Sequence, residues 1–312
     1  MYNLKIDNKG NIITGTTAIL IIAVILIVIF AVNSLNYIES ENTKTMEGEN
    51  FKNIIDDYDR NIEVLGRESI DSVTKKVYDG HIILNSRKEV KKALEKELNK
   101  KNEEYKKKYD IDIESEVLSV ESSSSPWKVE FKVHIIASKG DNSFNKILVL
   151  NSSIEGLKDP LPYSILHAFS GIGYEGDTIY YIKRLYAYLF FHNVDASETY
   201  FSATSPLYIK KCPYDPYIHH GDGNTLENCL KNGYFHESSD GSCYLCRLER
   251  KGVCPHYGLE TFIHPHFPGQ NDTVSCIDHV VFHDRYNGKR LNPLNPNSLI
   301  LDDAHKKKYG LM

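Results

Sequence analysis

AILIIAVILIVIFAV, residues Ala18 to Val32, decides how this chain is organised. The stretch is unbroken in its apolar character, and no charged residue occurs between Ile12 and Val32. A helix of about 20 residues spans the roughly 30 Å hydrocarbon core of a bilayer. A buried core helix of a soluble protein usually keeps a polar side, which this stretch lacks. We therefore predict a transmembrane helix over residues 11–33, preceded by a short leader at residues 1–10.

The charges on either side of the apolar stretch predict its orientation. Lys5 and Lys9 precede it, whereas Glu39 and Glu41 follow it. The positive-inside rule then places the N-terminus in the cytoplasm and the C-terminal domain outside the cell, as a single-pass protein of the cell membrane. A cleavable secretory signal is the alternative, but its apolar part is usually shorter and ends in a small-residue site, which the residues from Asn33 do not match.

The composition excludes one large class of function. The 312 residues are 41% hydrophobic and 25% charged, as in folded globular proteins, and the formal net charge is -5. Binding to nucleic acid requires an excess of Lys and Arg on one face. We therefore expect no nucleic-acid partner.

The leader resembles a known signal. Lys9-Gly10 is followed by Asn11 and the long apolar helix, and this arrangement resembles the class III signal of archaeal type IV pilin-like proteins. In that family a membrane peptidase cuts after the glycine, and the apolar helix stays in the membrane or packs in a filament core. The resemblance implies cleavage between Gly10 and Asn11. Many of these pilins carry Glu at the fifth mature position, which here is Gly15, so the resemblance favours a minor pilin or an anchored pilin-like protein.

Residues 34–109 are predicted to form a helical stalk and a second helix. Apolar residues recur at helical spacing from Phe51 to Leu65, and Val90, Leu94 and Leu98 form a thin apolar stripe in the second helix. Oppositely charged residues four positions apart predict ion pairs on its solvated side. These pairs are Glu97 with Lys101, Glu103 with Lys107, and Glu104 with Lys108.

Residues 110–205 are predicted to form an antiparallel meander followed by a helix. Apolar residues alternate with polar ones through Val129, Phe131, Val133 and Ile135, then at Ile147 and Val149, and turn residues separate the runs. TIYYIKRLYAYLFFH, residues 178–192, predicts a Tyr-rich buried helix. The fold class is therefore α+β. An anchor helix followed by a meander is also the order of pilin-like folds, and residues 154–161 are similar to a recurring feature of archaeal pilin-like secreted proteins.

Residues 206–312 are predicted to be a loop-rich subdomain with many Cys and His, closed by a strand at residues 277–282 that rejoins the sheet. Outside the cell, six cysteines indicate disulfides, in a pairing that the sequence leaves open. The alternative is zinc, because Cys243-x2-Cys246 with Cys254 and His256 supplies three thiolates and an imidazole. The six cysteines are Cys212, Cys229, Cys243, Cys246, Cys254 and Cys276.

Function follows from these features. The chain has no HExxH, zinc-deaminase, GxSxG or phosphate-loop motif, so we predict no enzyme and no cofactor, with zinc as the alternative. We expect a pilin-like surface protein with a structural, adhesive or assembly role, whose partners are the membrane and other pilin-like subunits or surface proteins. The histidine density keeps open an anchored zinc-binding protein or a metal-dependent hydrolase. Asn151 and Asn271 begin N-glycosylation triplets.

Overall fold

A computed structural model describes most of the chain, in two parts. Contacts between residues divide the chain into two compact units, residues 1–58 and residues 59–312. The described residues are 8–166, 172–192, 198–222, 224–264, 276–283, 289–290, 300–301 and 303–311. The predicted divisions after residues 10, 33, 109 and 205 stay predictions.

The described residues contain long helices near the N-terminus and short ones afterwards. Short 3-10 helices lie at Glu198–Ser202 and Tyr217–Asp222. The α-helices are α1 (Asn8–Tyr78), α2 (Ser86–Tyr109), α3 (Leu161–Leu166), α4 (Arg184–Phe191), α5 (Asn224–Asn232), α6 (Tyr244–Leu248), α7 (Asp278–Phe282) and α8 (Asp303–Lys308).

The strands form one regular sheet and several small ones. The sheet orders are β1-β2-β3, β4-β5-β6, β7-β8-β9 and β10-β11-β13-β12. The strands are β1 (Asp112–Ser122), β2 (Lys128–Lys139), β3 (Asn142–Ser153), β4 (Gly173–Glu175), β5 (Thr178–Tyr180), β6 (Thr204–Pro206), β7 (Lys210–Lys211), β8 (Tyr234–Ser238), β9 (Gly258–Glu260), β10 (Phe262–Ile263), β11 (Cys276–Ile277), β12 (Lys289–Arg290) and β13 (Ile300–Leu301).

Helix α1 confirms that the chain carries one long apolar helix near its N-terminus. The window Ile19–Ile38 has a mean hydropathy of 2.8, and none of it is buried against other residues. It is long and apolar enough to cross a membrane, and a signal sequence has the same length and composition. The same α-helix continues without a break to Tyr78, as the amphipathic spacing predicts.

Within residues 59–312, the last part of α1 lies directly against the end of the meander. A Cβ at Gly66 would lie 2.5 Å from Ser152 Oγ and 3.0 Å from the Phe131 ring, so only glycine fits this approach. The Ser152 hydroxyl donates to the Glu63 carbonyl at 2.8 Å. Arg67 donates to the carbonyls of Ser153 and Glu155 at 2.5 and 2.6 Å. Helix and sheet are thus joined by side-chain hydrogen bonds to backbone carbonyls as well as by apolar packing.

The predicted antiparallel meander is confirmed, with one correction. Strands β1, β2 and β3 pair in order, and the inward residues of β2 from Val129 to Ile135 are buried. Ile147 and Val149 lie on the opposite, exposed side, with 56% and 54% of their surface accessible. The register pairs Leu148 with Val133, so Leu148 is the inward residue of this part of β3.

The predicted second helix is confirmed as α2, which ends at Tyr109. The Asn85 side chain caps its N-terminus by accepting from the Lys88 amide at 2.9 Å. Val90, Leu94 and Leu98 are fully buried. Of the residues predicted to pair, Glu97 pairs with Lys100 and Glu104 with Lys101, at 2.8 and 2.9 Å, three residues apart and not four. Lys91 and Glu95 form a pair with the four-residue spacing, at 3.6 Å.

Two predicted elements were partly wrong. Residues 178–180 are strand β5, in a hairpin with β4 whose turn contains Gly176 at φ 55°, and the helix begins only at Arg184. Its end is not buried, because Phe190 and Phe191 are 64% and 71% exposed. Of the strand predicted at 277–282 only Ile277 is in a strand, which belongs to a sheet separate from the meander, and the rest is α7. Short apolar runs fit a buried strand and a buried helix equally well.

Candidate metal centres

The six cysteines do not form the predicted disulfides. All six lie in the described residues, and no pair of them is at disulfide distance. The Sγ atoms of Cys212 and Cys229 are 3.4 Å apart, whereas a disulfide requires about 2.05 Å. Five of the six are instead gathered with histidines into two groups that could hold a metal ion.

The first group, the Cys3His cluster, consists of Cys243, Cys246, Cys254 and His256. It is the set that the sequence offered as the alternative to disulfides. Cys243 is the N-cap residue of the short helix α6, so Cys246 follows one turn later on the same side of the chain. The three cysteines are 2–7% exposed. Ser122 of β1 donates to Cys243 Sγ at 3.0 Å, which ties the cluster to the meander.

The distances in the Cys3His cluster are those of a metal site. His256 Nδ1 lies 3.6 Å from the Sγ atoms of both Cys243 and Cys246. Bonds of about 2.3 Å to sulfur and about 2.0 Å to nitrogen at a tetrahedral angle separate the two ligand atoms by about 3.5 Å, close to the distances found here. Hydrogen bonds from Cys243 and Cys246 lower the pKa of the Cys254 thiol to about 2. One thiolate is therefore already stabilised by its neighbours.

The second group, the Cys2His2 cluster, consists of Cys212, His220, Cys229 and His236, and all four are buried. Its ligands come from four elements. Cys212 follows β7, which runs parallel to β8, and the Cys212 amide donates to the Phe235 carbonyl at 3.1 Å. His220 lies in the 3-10 helix at Tyr217–Asp222, Cys229 in α5 and His236 in β8.

The Cys2His2 cluster also has the spacing of a metal site. Cys212 Sγ lies 3.4 Å from both His220 Nε2 and Cys229 Sγ. His236 Nδ1 lies 3.1 Å from the Tyr309 hydroxyl, and its Nε2 is buried without a hydrogen-bond partner among the described residues. Burial lowers the pKa of His236, which keeps the imidazole neutral as a metal ligand requires. A hydrogen bond from Cys229, aided by His220, lowers the pKa of Cys212 to about 3.

A third group, the Glu-His-His cluster, contains no cysteine: it consists of Glu260, His279 and His305, all buried. Glu260 ends β9 and is the register partner of His236 on β8. His305 Nε2 lies 2.7 Å and His279 Nδ1 lies 3.7 Å from Glu260 Oε2. The second carboxylate oxygen of Glu260 accepts from the Tyr309 hydroxyl and from Lys308 Nζ. Burial alone would raise the pKa of Glu260, but Lys308 and His305 hold it well below its usual value.

A buried ion-pair network connects these groups with the rest of the protein. Arg247 of α6 is fully buried and donates to Asp159 at 2.6 and 2.8 Å and to Asp278 at 2.6 Å. Asp159 belongs to the segment 154–161 that the sequence singled out, and Asp278 begins α7 next to His279. Burial raises the pKa of Asp278 to about 6, against the lowering effect of Arg247. Arg247 thus joins the Cys3His cluster to the Glu-His-His cluster.

The other predicted site residues lie apart from the clusters. Cys276 is buried beside Tyr200, whose hydroxyl lies 3.5 Å from Sγ. Gly10 and Asn11 fall at the start of α1, where the structure describes the backbone only. Asn151 is half-buried in β3, and its Oδ1 is buried without a hydrogen-bond partner among the described residues. Asn271 lies outside the described residues. Processing and glycosylation at these positions stay predictions.

The sequence predicted the Cys3His cluster as a ligand set, but it did not predict the Cys2His2 cluster or the Glu-His-His cluster. The residues of the Cys2His2 cluster are spread from position 212 to position 236, without a short motif. The signal that could have found them is the paired spacing of Cys212 with His220 and of Cys229 with His236, in a segment with little apolar content. The Glu-His-His cluster joins positions 260, 279 and 305, and only the fold brings them together.

Comparisons with known proteins add no relative. Protein-family models, curated proteins and solved structures give no match to this chain.

Proposed function

We propose that this chain is a membrane-anchored, pilin-like surface protein, and that its residues 59–312 form an outward-facing body stabilised by two structural zinc ions. The observation that carries the proposal is the continuity of α1. One helix contains both the exposed apolar window Ile19–Ile38 and, from Asp59 on, the residues that lie against the three-stranded meander. An exposed apolar segment that leads into a folded body suits a protein that is anchored at one end and makes contacts at the other.

The two cysteine clusters support structural zinc. Each offers four protein ligands of the soft kind that zinc prefers, at distances that fit a tetrahedron. Four protein ligands leave no position for water or substrate, which is the arrangement of structural sites and not of catalytic ones. The ion would hold together a segment whose helices and strands are too short to bury a large apolar core.

The apolar window fits two environments for α1, the lipid bilayer and the core of a filament. Its side chains are exposed all round, as lipid-facing residues are, and the same surface would pack among neighbouring helices in a filament. In this proposal a peptidase removes residues 1–10, the mature chain begins at Asn11, and its role is structural or adhesive.

The topology is tested by protease treatment of intact cells, followed by detection of the two ends of the chain. We expect external protease to degrade residues 59–312, and N-terminal sequencing of the membrane-bound chain to begin at Asn11. Permeabilised cells are the control, because every protein is accessible in them. Protection of residues 59–312 in intact cells with degradation after permeabilisation would overturn the outward-facing topology, and a start at Met1 would overturn pilin-like processing.

A second candidate is an anchored zinc protein whose body faces the cytoplasm. The observation that favours it is the absence of disulfides among the six described cysteines, because thiols held for metal are typical of reducing compartments. The same protease experiment separates the two candidates, since only the outward-facing body is degraded in intact cells.

A further inference from the structure

We propose that Glu260, His279 and His305 form a third metal centre, which binds a divalent cation of the zinc or ferrous-iron class and differs in kind from the two cysteine clusters. It goes beyond the proposed function, which needs only the two closed thiolate sites. Two imidazoles and one carboxylate are ligands for borderline divalent metals and leave further coordination positions to water or to another ligand.

The distances fit such a centre. The three candidate ligand atoms all lie within 4.8 Å of one another, and Glu260 Oε2 is 2.7 Å from His305 Nε2 and 3.7 Å from His279 Nδ1. Ligand bonds of about 2.1 Å place neighbouring ligand atoms about 3.0 Å apart in an octahedron and about 3.4 Å apart in a tetrahedron. A metal ion would therefore need only small movements of these side chains.

The surrounding charges favour a cation. Three buried carboxylates, Glu260, Asp278 and Asp159, are bonded to two permanently charged cations within the described residues, Arg247 and Lys308. His305, which lies 2.7 Å from Glu260, adds a positive charge only when it is protonated. Buried carboxylates in excess of their cations are costly unless another positive charge compensates them. A divalent ion at Glu260 supplies that charge.

Asp278 gives a second, independent indication. Its Oδ2 accepts from Arg247, whereas its Oδ1 is buried without a hydrogen-bond partner among the described residues and lies 4.0 Å from His279 Nδ1. A buried carboxylate oxygen on the same side as the candidate ligand nitrogen of His279 is placed to be a further oxygen ligand of the metal ion. A metal ion in the Glu-His-His cluster would explain why Asp278 Oδ1 lies beside it.

The Glu-His-His cluster also has an approach from solvent. His305 lines a polar cleft of about 250 Å³ together with Glu237, Asp240, Tyr257 and Lys308. This cleft therefore ends at one of the three candidate ligands, while Glu260 and His279 lie buried behind it.

The test is a cobalt titration of the full-length chain in detergent, after a chelator has removed its resident metal, with the thiols reduced and oxygen excluded. Cobalt bound to thiolates gives intense charge-transfer absorption, whereas cobalt bound to histidine and carboxylate gives weak ligand-field bands. We expect two equivalents of Co²⁺ with charge-transfer absorption and a third with ligand-field bands alone. His279→Gln and His305→Gln should each lose the third equivalent and keep the full charge-transfer absorption.

The controls and the contrary outcomes are specific. His219→Gln, at an exposed histidine next to the Cys2His2 cluster, should bind all three equivalents. Retained charge-transfer absorption shows that a variant is folded, so its loss of one equivalent is a loss of the site. Two equivalents in the unaltered chain, or a third that survives both variants, would overturn the proposal and show that Glu260, His305 and Lys308 form a plain ion-pair network. Failure of the thiolate centres would appear separately, as missing charge-transfer absorption.

Discussion

Between residues 59 and 153 the protein consists of two long helices and a sheet of eleven- and twelve-residue strands, whereas between residues 204 and 264 its longest strand has five residues. We call these the helix-meander region and the Cys/His region. The buried side chains of the first are almost all apolar, from Ile62 to Leu148. Those of the second include His220, His236, Arg247 and Glu260. Regular elements bury enough apolar surface to be stable by themselves, and short ones need ligands and ion pairs.

Removal of metal should have the largest effect and should separate the two regions. If zinc holds both cysteine clusters, a chelator removes on the order of 10 kcal/mol of apparent binding free energy per ion. We expect protease cleavage to appear within residues 204–264, while the far-ultraviolet circular dichroism of α1 and α2 changes little. Mass spectrometry of the fragments locates the cleavage sites.

Matched cysteine variants sharpen that experiment. Cys229→Ser should lose one zinc ion per chain, whereas Cys276→Ala, which changes a buried cysteine outside both clusters, should keep both. An unchanged cleavage pattern after complete removal of metal would show that the Cys/His region is stable on apolar packing alone.

Arg247→Ala should have the next largest effect, because it leaves Asp159 and Asp278 buried without their cation. Breaking a buried ion pair by removing one partner costs about 3–5 kcal/mol. The single Trp127, whose Nε1 donates to Glu237 at 2.6 Å, reports unfolding by its fluorescence in a denaturant titration. Arg250→Ala, at an exposed arginine, is the control and should change the free energy of unfolding by less than about 0.5 kcal/mol. Equal midpoints for the two variants would show that the network does not stabilise the fold.

Gly66→Ala should have the smallest of these effects and should act in the helix-meander region. Alanine favours a helix by up to about 1 kcal/mol, but here its methyl group would lie 2.5 Å from Ser152 Oγ. We expect a net loss of about 1–2 kcal/mol from overpacking, with the zinc content unchanged. Ser72→Ala, on the exposed side of the same helix, is the control. A gain in stability for Gly66→Ala would show that helix and sheet have room to separate.

The same comparison explains which parts of the fold the sequence could predict. In the helix-meander region the spacing of Val90, Leu94 and Leu98 and the alternation from Val129 to Ile135 repeat often enough to distinguish helix from strand. In residues 178–192 and 277–282 the apolar runs are short, so the chosen element depends on tertiary contacts. Asp278 is an example of such a tertiary contact: it is the first residue of α7, and it accepts a hydrogen bond from Arg247 of α6.

The candidate sites follow the same division. Cys243, Cys246, Cys254 and His256 lie within fourteen positions of one another, so spacing alone suggested a ligand set. The Cys2His2 cluster depends on the parallel pairing of β7 with β8, which local sequence does not specify. His279 and His305 meet Glu260 through α7 and α8, and no pattern in the intervening residues indicates that contact.

The pairing of His236 with Glu260 has a consequence for the alignment of the antiparallel strands β8 and β9. A shift of one residue along either strand would turn one of these side chains to the opposite side of the sheet. His236 would then leave Cys212, or Glu260 would leave His305 and Lys308. A misaligned strand pair therefore cannot complete both groups, and if both groups bind metal, its occupation would favour the native alignment over its near competitors.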